Sequence, residues 1–191
     1  MRNLLCVLAL TLTACDDGPA TTAPDPGRVV AVTADPVADP ADGFCDVQPE
    51  AHPALALPPL DEASSAPSLT TRTWLNVWAT WCAPCVEELP RLAAWRDRLR
   101  EDGVDAQVVF LSADRDRETI DAFLASHPEV TSTLRVTDPS ELGGWLPGVG
   151  LDEGAPLPLH VLTGADGHVR CARAGGVSEE HYAAVRSILA R

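Results

Sequence analysis

Apolar and polar positions fall into two rhythms through the C-terminal part of the chain. Thr73 to Ala79 (Thr-Trp-Leu-Asn-Val-Trp-Ala) is apolar at most positions, which predicts a buried strand. Past the cysteine-bearing segment Trp81-Cys82-Ala83-Pro84-Cys85, the residues Leu89, Leu92, Ala93 and Leu99 recur at helical spacing, with Arg and Asp on the other side. Pro90 lies inside that pattern and, having no N–H to donate, should kink the helix. Gln107 to Ser112 reads as a second buried strand, Thr119 to Ser126 as a short helix facing inward through Ile120, Phe123 and Leu124, and Thr133 to Thr137 as a further strand. Leu159 to Thr163 and His168 to Ala174 flank Gly164-Ala165-Asp166-Gly167, which is turn chemistry between hairpin strands. Ser178 is placed to cap a last helix buried through Tyr182, Val185, Ile188 and Leu189. Strand–helix–strand–helix followed by hairpin and helix predicts an α/β fold, a mixed central sheet with helices on both faces.

The N-terminal part follows neither rhythm. Met1-Arg2-Asn3 is a short cationic start, and Leu4 to Ala14 is a mostly apolar stretch of eleven residues. Such a stretch is too short for a bilayer-spanning helix, which takes about 20 residues, and reads as an export signal over residues 1–14. Its Leu12-Thr13-Ala14-Cys15 end resembles a bacterial lipobox, which predicts lipidation of Cys15; an ordinary cleaved signal with a cysteine at its edge is the alternative. Residues 15–43 are rich in Asp, Pro, Ala and Thr and cannot bury enough surface to offset their ordering entropy, so they read as a disordered acidic tether. Residues 44–68 read as an N-terminal extension of the domain and 69–191 as the domain itself. The expected location is the periplasmic or extracytoplasmic face of a bacterial membrane, with the lipid as anchor.

Charge narrows the partners. The 14 basic residues are all Arg and face 28 Asp and Glu, giving a net charge of −14. Nucleic acid is excluded as a partner, and so is docking on anionic lipid.

Cysteine spacing carries the chemistry. Cys82 and Cys85 are spaced C-x-x-C between a predicted strand and a predicted helix, which puts the first sulfur, exposed, at a helix N-terminus. There the unpaired N–H groups and the helix dipole favour a thiolate. A zinc site needs four clustered ligands, whereas the other cysteines are singletons and His52, His127, His160, His168 and His181 are scattered without ligand spacing. A purely structural Cys82–Cys85 bond closes too few residues to constrain the unfolded chain. Setting aside Cys6 in the signal, Cys15 and the redox pair leaves Cys45 and Cys171, an even remainder that suggests a structural disulfide.

The run Asn76-Val77-Trp78-Ala79-Thr80-Trp81-Cys82-Ala83-Pro84-Cys85-Val86-Glu87-Glu88-Leu89-Pro90 resembles the active-site segment of TlpA/ResA-type periplasmic thiol-disulfide oxidoreductases. Pro158, nine residues before Gly167, matches the register of that family's cis-proline; Pro156 is a rival at poorer spacing, and Leu159-His160 departs from the family's usual small polar residues. A helical insertion near Arg115 to Ser126 also fits the family. The resemblance implies a thioredoxin-like fold over roughly residues 69–191 and a redox-active disulfide, with no other cofactor and no metal. It implies Cys82 as nucleophile, Cys85 as resolving cysteine and Glu88 as an aid to proton transfer, against the alternative of Glu88 as a solvated helix carboxylate. Trp81, Pro84, Leu157 and Pro158 are the expected substrate-binding residues. The implied partners are protein disulfides, such as apocytochrome c cysteine pairs in cytochrome c biogenesis, and a membrane thiol electron donor. The rival from another class is a thioredoxin-like copper chaperone holding Cu(I) through Cys82, Cys85 and a histidine such as His160.

Overall fold

The computed structural model describes residues 39–130 and 133–191; the signal, Cys15 and the tether up to residue 38 lie outside them. Nine elements order the described chain: β1 (Thr73–Trp78), α1 (Ala83–Glu101), β2 (Gln107–Ser112), α2 (Arg117–Leu124), β3 (Leu134–Arg135), α3 (Leu142–Trp145), β4 (Leu159–Thr163), β5 (Val169–Ala174) and α4 (Tyr182–Ala190), with 3-10 turns leading into or out of α3 and α4. The strands form one sheet in the order β3-β2-β1-β4-β5. β1 is central, parallel to β2 and antiparallel to β4, and every one of its residues is buried. Its sequence is largely apolar for that reason: helices and loops cover both faces.

Alternation along β1 divides the core in two. Trp74 and Trp78 face Leu89, Leu92 and Trp95 of α1 and Val185, Ile188 and Leu189 of α4. Leu75 and Val77 face the other way and join Val109, Leu111, Leu159 and Val161 against Leu55 and the α3 region, with Leu146, Val149 and Leu151. Full burial of each such side chain contributes roughly 1.5–3 kcal/mol. One layer is thus helical, and the opposite layer is the short α3, its flanking turns and extended chain.

Several expectations are adjusted. The second helix starts two residues early, after Asp116 in extended conformation, and stops at Leu124. The expected strand over Thr133 to Thr137 shrinks to Leu134–Arg135, because the chain then leaves β2 for the N-terminal extension: Val136 bridges Leu60, and the Thr137 N–H donates to Pro59.

The tether boundary at residue 43 is corrected. Ala41 is buried beside Phe44, and Asp39 pairs with Arg191, so the folded region includes residues 39–43. From there the extension runs along the outer edge of β5, with Val47 bridging Ala172 and Pro53 accepting the Val169 N–H. It covers an edge that would otherwise present unpaired amides. Cys45 and Cys171 are bonded, joining that segment to β5 across 126 residues of sequence.

Candidate active site

Cys82 occupies the N-cap of α1, with Pro84 in the first turn, where a missing N–H costs nothing. Its carbonyl accepts the Val86 N–H at 3.1 Å, the first bond of the helix, and no side chain caps that end. The N–H groups of the first turn therefore point at the sulfur region and favour negative charge there. Cys82 and Cys85 are joined in a disulfide with Cα atoms 5.3 Å apart. Cys82 keeps 6 % of its surface and Cys85 none, so the freely exposed sulfur expected from the strand-to-helix order is corrected to a nearly covered one. Trp81 beside it is 69 % exposed, an outlier among the large apolar side chains.

The loop before the cysteines is fastened by Asp114. Its buried carboxylate accepts the Thr80 N–H at 3.0 Å, the Thr80 hydroxyl at 2.7 Å and the Ser112 hydroxyl at 2.8 Å. The chain from β1 to Cys82 is thereby tied to the end of β2. Next to it, a groove of about 360 Å³ runs from Trp81 past Leu142 and Leu146 to Ala155 and Leu157.

The Leu157–Pro158 peptide bond is cis, and Pro158 is buried while Pro156 is exposed. Since Val77 pairs with Leu159, the antiparallel register carried one residue on puts Pro158 opposite Trp78, at the strand end from which the cysteine loop departs. The carbonyl of Pro158 accepts the Gly175 N–H at 2.8 Å.

Glu88 is not solvated; its alternative reading as a surface carboxylate is corrected. Three residues on from Cys85 along α1, it is 1 % exposed. Its Oε1 accepts from Asn76 Nδ2 at 3.0 Å and its Oε2 from the Val177 N–H at 2.8 Å. Asn76, His160 and Arg173 are register partners in a polar row across β1, β4 and β5. Asn76, Asp114 and Thr80 were not singled out from the sequence, and His160 only as a possible metal ligand. A lone polar residue two positions from Trp on either side of a buried strand marks Asn76; the partners of Asp114 lie far apart in sequence and gave no such sign.

His160 takes the Trp74 indole N–H on Nδ1 at 3.2 Å. Among the described residues no group of three or more His, Cys, Asp or Glu is arranged to hold a metal ion.

No protein-family profile matches the chain. It is similar to the thiol-disulfide oxidoreductase ResA of a Bacillus cereus strain, 26% identical over 96 residues, half of each chain. The chain thus spans about half the length of that relative. Among solved structures, the thioredoxin domain of a thiol-disulfide oxidoreductase from Bacteroides vulgatus superposes with a TM-score of 0.53 at 16% identity, covering 68% of this chain and 90% of that one. A thioredoxin family thiol:disulfide interchange protein from Chlorobium tepidum TLS gives 0.52 at 17%, covering 72% and 100%. The architecture is shared at an identity that speaks for fold alone, and the ResA similarity adds sequence. The chain has the thioredoxin fold and, over half its length, is similar in sequence to ResA.

Proposed function

We propose that this chain is a thiol-disulfide oxidoreductase that reduces protein disulfides by dithiol–disulfide exchange. The observation that carries the reading is the Cys82–Cys85 bond at the N-cap of α1, beside an exposed Trp81 and a strand that starts at a cis-proline. Cys82, the sulfur with residual access, attacks a substrate disulfide as thiolate. The Cys85 thiol then gives up its proton and attacks Cys82, releasing reduced substrate. Buried Glu88, one helical turn from Cys85, is the carboxylate that takes the proton. The free edge before β4 offers a substrate backbone a place to lie beside the sulfurs, with Trp81, Pro84, Leu157 and Pro158 as its contacts.

Direction follows from charge. An oxidant needs a strongly stabilised thiolate, yet Ala83-Pro84 between the cysteines brings no positive charge and Glu88 opposes a negative sulfur. The protein therefore works as a reductant, fed by a membrane thiol donor, on the extracytoplasmic side, tethered through lipidated Cys15. Apocytochrome c cysteine pairs are suitable substrates.

Insulin reduction by the dithiol form, with copper stoichiometry measured on the same sample, tests this. The expected result is turnover that Cys82→Ser abolishes, and mixed disulfides that accumulate on Cys85→Ala. Full activity in Cys82→Ser, or one tightly held copper per chain without turnover, overturns it.

A further inference from the structure

His160 takes no part in the exchange of sulfurs, yet it is buried without remaining exposure beside Glu88. Indole is a donor only, so the Trp74 N–H makes Nδ1 an acceptor and leaves the ring proton of a neutral imidazole on Nε2. Nε2 lies 3.4 Å from Glu88 Oε1 without making a hydrogen bond to it, and has no other partner. The other carboxylate oxygen, Oε2, is committed to the fixed backbone amide of Val177. Oε1 accepts one hydrogen bond, from Asn76, and has only the unpaired His160 Nε2 beside it, so Oε1 is the oxygen with room for a proton.

We infer that His160 is a positioning residue for Glu88, keeping Oε1 placed for the proton of the Cys85 thiol. The inference rests on the dithiol reading above. In the resolving step the Cys85 S–H bond breaks and its proton passes to Glu88. A Cys85–Cys82 bond forms, the Cys82–substrate bond breaks, and the substrate sulfur leaves with the bonding pair as thiolate. An N–H held close to a carboxylate oxygen favours its proton-accepting form. Trp74 prevents the imidazole from turning its other nitrogen to Glu88. Ionisable groups near this pair include Arg173, the register partner of His160 on β5; Arg91 on α1, which donates to the Val177 carbonyl; and His181 at the entry to α4, within electrostatic reach of His160. From β1 come the uncharged Trp74 and Asn76. Burial and the Arg173 charge lower the proton affinity of His181.

The two sulfur steps can be timed separately by mixing the reduced full chain with a chromogenic aromatic disulfide that releases one coloured thiolate per exchange. The wild type gives two equal phases, the second belonging to Cys85. His160→Asn can keep the Trp74 bond but falls short of Glu88. It slows the second phase about tenfold near neutral pH and leaves the first within about twofold, against a hundredfold or more expected from losing the base itself. His160→Gln, long enough to donate to Glu88, recovers most of the rate, and His160→Asn adds nothing in a Glu88→Gln background. Equal slowing of both phases, no recovery in His160→Gln, or additive effects with Glu88→Gln overturns the assignment. A wild type that releases one thiolate only overturns the dithiol reading instead.

Discussion

Trp81 and Cys82 are adjacent and opposite: the indole stands in solvent while the sulfur is all but covered. An exposed indole adds little to folding, since its surface is not removed from water. Trp81→Ala should therefore change unfolding free energy by no more than about 0.5 kcal/mol in urea denaturation. The same change should raise KM for a protein disulfide several-fold and leave a small chromogenic disulfide unaffected. Equal losses on both substrates would remove Trp81 from the substrate surface. At this scale the sequence was informative wherever the chemistry lies in a short run. Cys82, Cys85 and Glu88 share one helix, so spacing alone brings them together. Asn76, Asp114 and His160 take their place in the site through partners 12 to 86 residues away, and spacing cannot supply that.

Among the elements, the extension is the least regular and the most firmly fastened. Asp61 accepts from Arg117 on α2, Arg135 on β3 and the Ser64 hydroxyl. Burial alone would push the Asp61 carboxyl up, but these donors and the Arg117 charge outweigh it and hold it at about 2, against an ordinary 3.8. A carboxyl depressed on folding adds stability above its unfolded value and loses it as pH falls through the folded one. Stability measured by urea midpoint should fall between pH 3.8 and about 2, and Asp61→Asn should flatten that limb. An unchanged acid limb in the variant would show that the clamp contributes nothing. This layer was hard to read in advance because its residues follow no period: Leu55, Leu57 and Leu60 fill the core from extended chain. The strand after α2 was overestimated for the related reason that its continuation pairs with this extension instead of β2. The central strands and α1, whose periods are set by burial on a sheet, were legible throughout.

For the whole molecule, charge is the dominant fact. A net −14, with Glu153 lining the groove by Trp81, should draw cationic disulfides and repel anionic ones. Reduction of a dicationic small disulfide should outpace that of a dianionic one at low salt. The gap should close as ionic strength passes about 0.1 M, where the screening length is near 10 Å. A ratio insensitive to salt would mean that the field does not steer substrates. Fold class was readable at this scale from element order alone, whereas the way the chain wraps its own sheet was not.

Two sulfur–sulfur bonds share this sheet, and their surroundings give them different fates. One sits where a helix begins and a partner's sulfur can arrive; the other pins the wrapping segment to an interior strand, with Cys171 sealed from solvent. On the exchange reading proposed above, the protein must keep its own rivet out of circulation, and here depth rather than distance along the chain keeps it so.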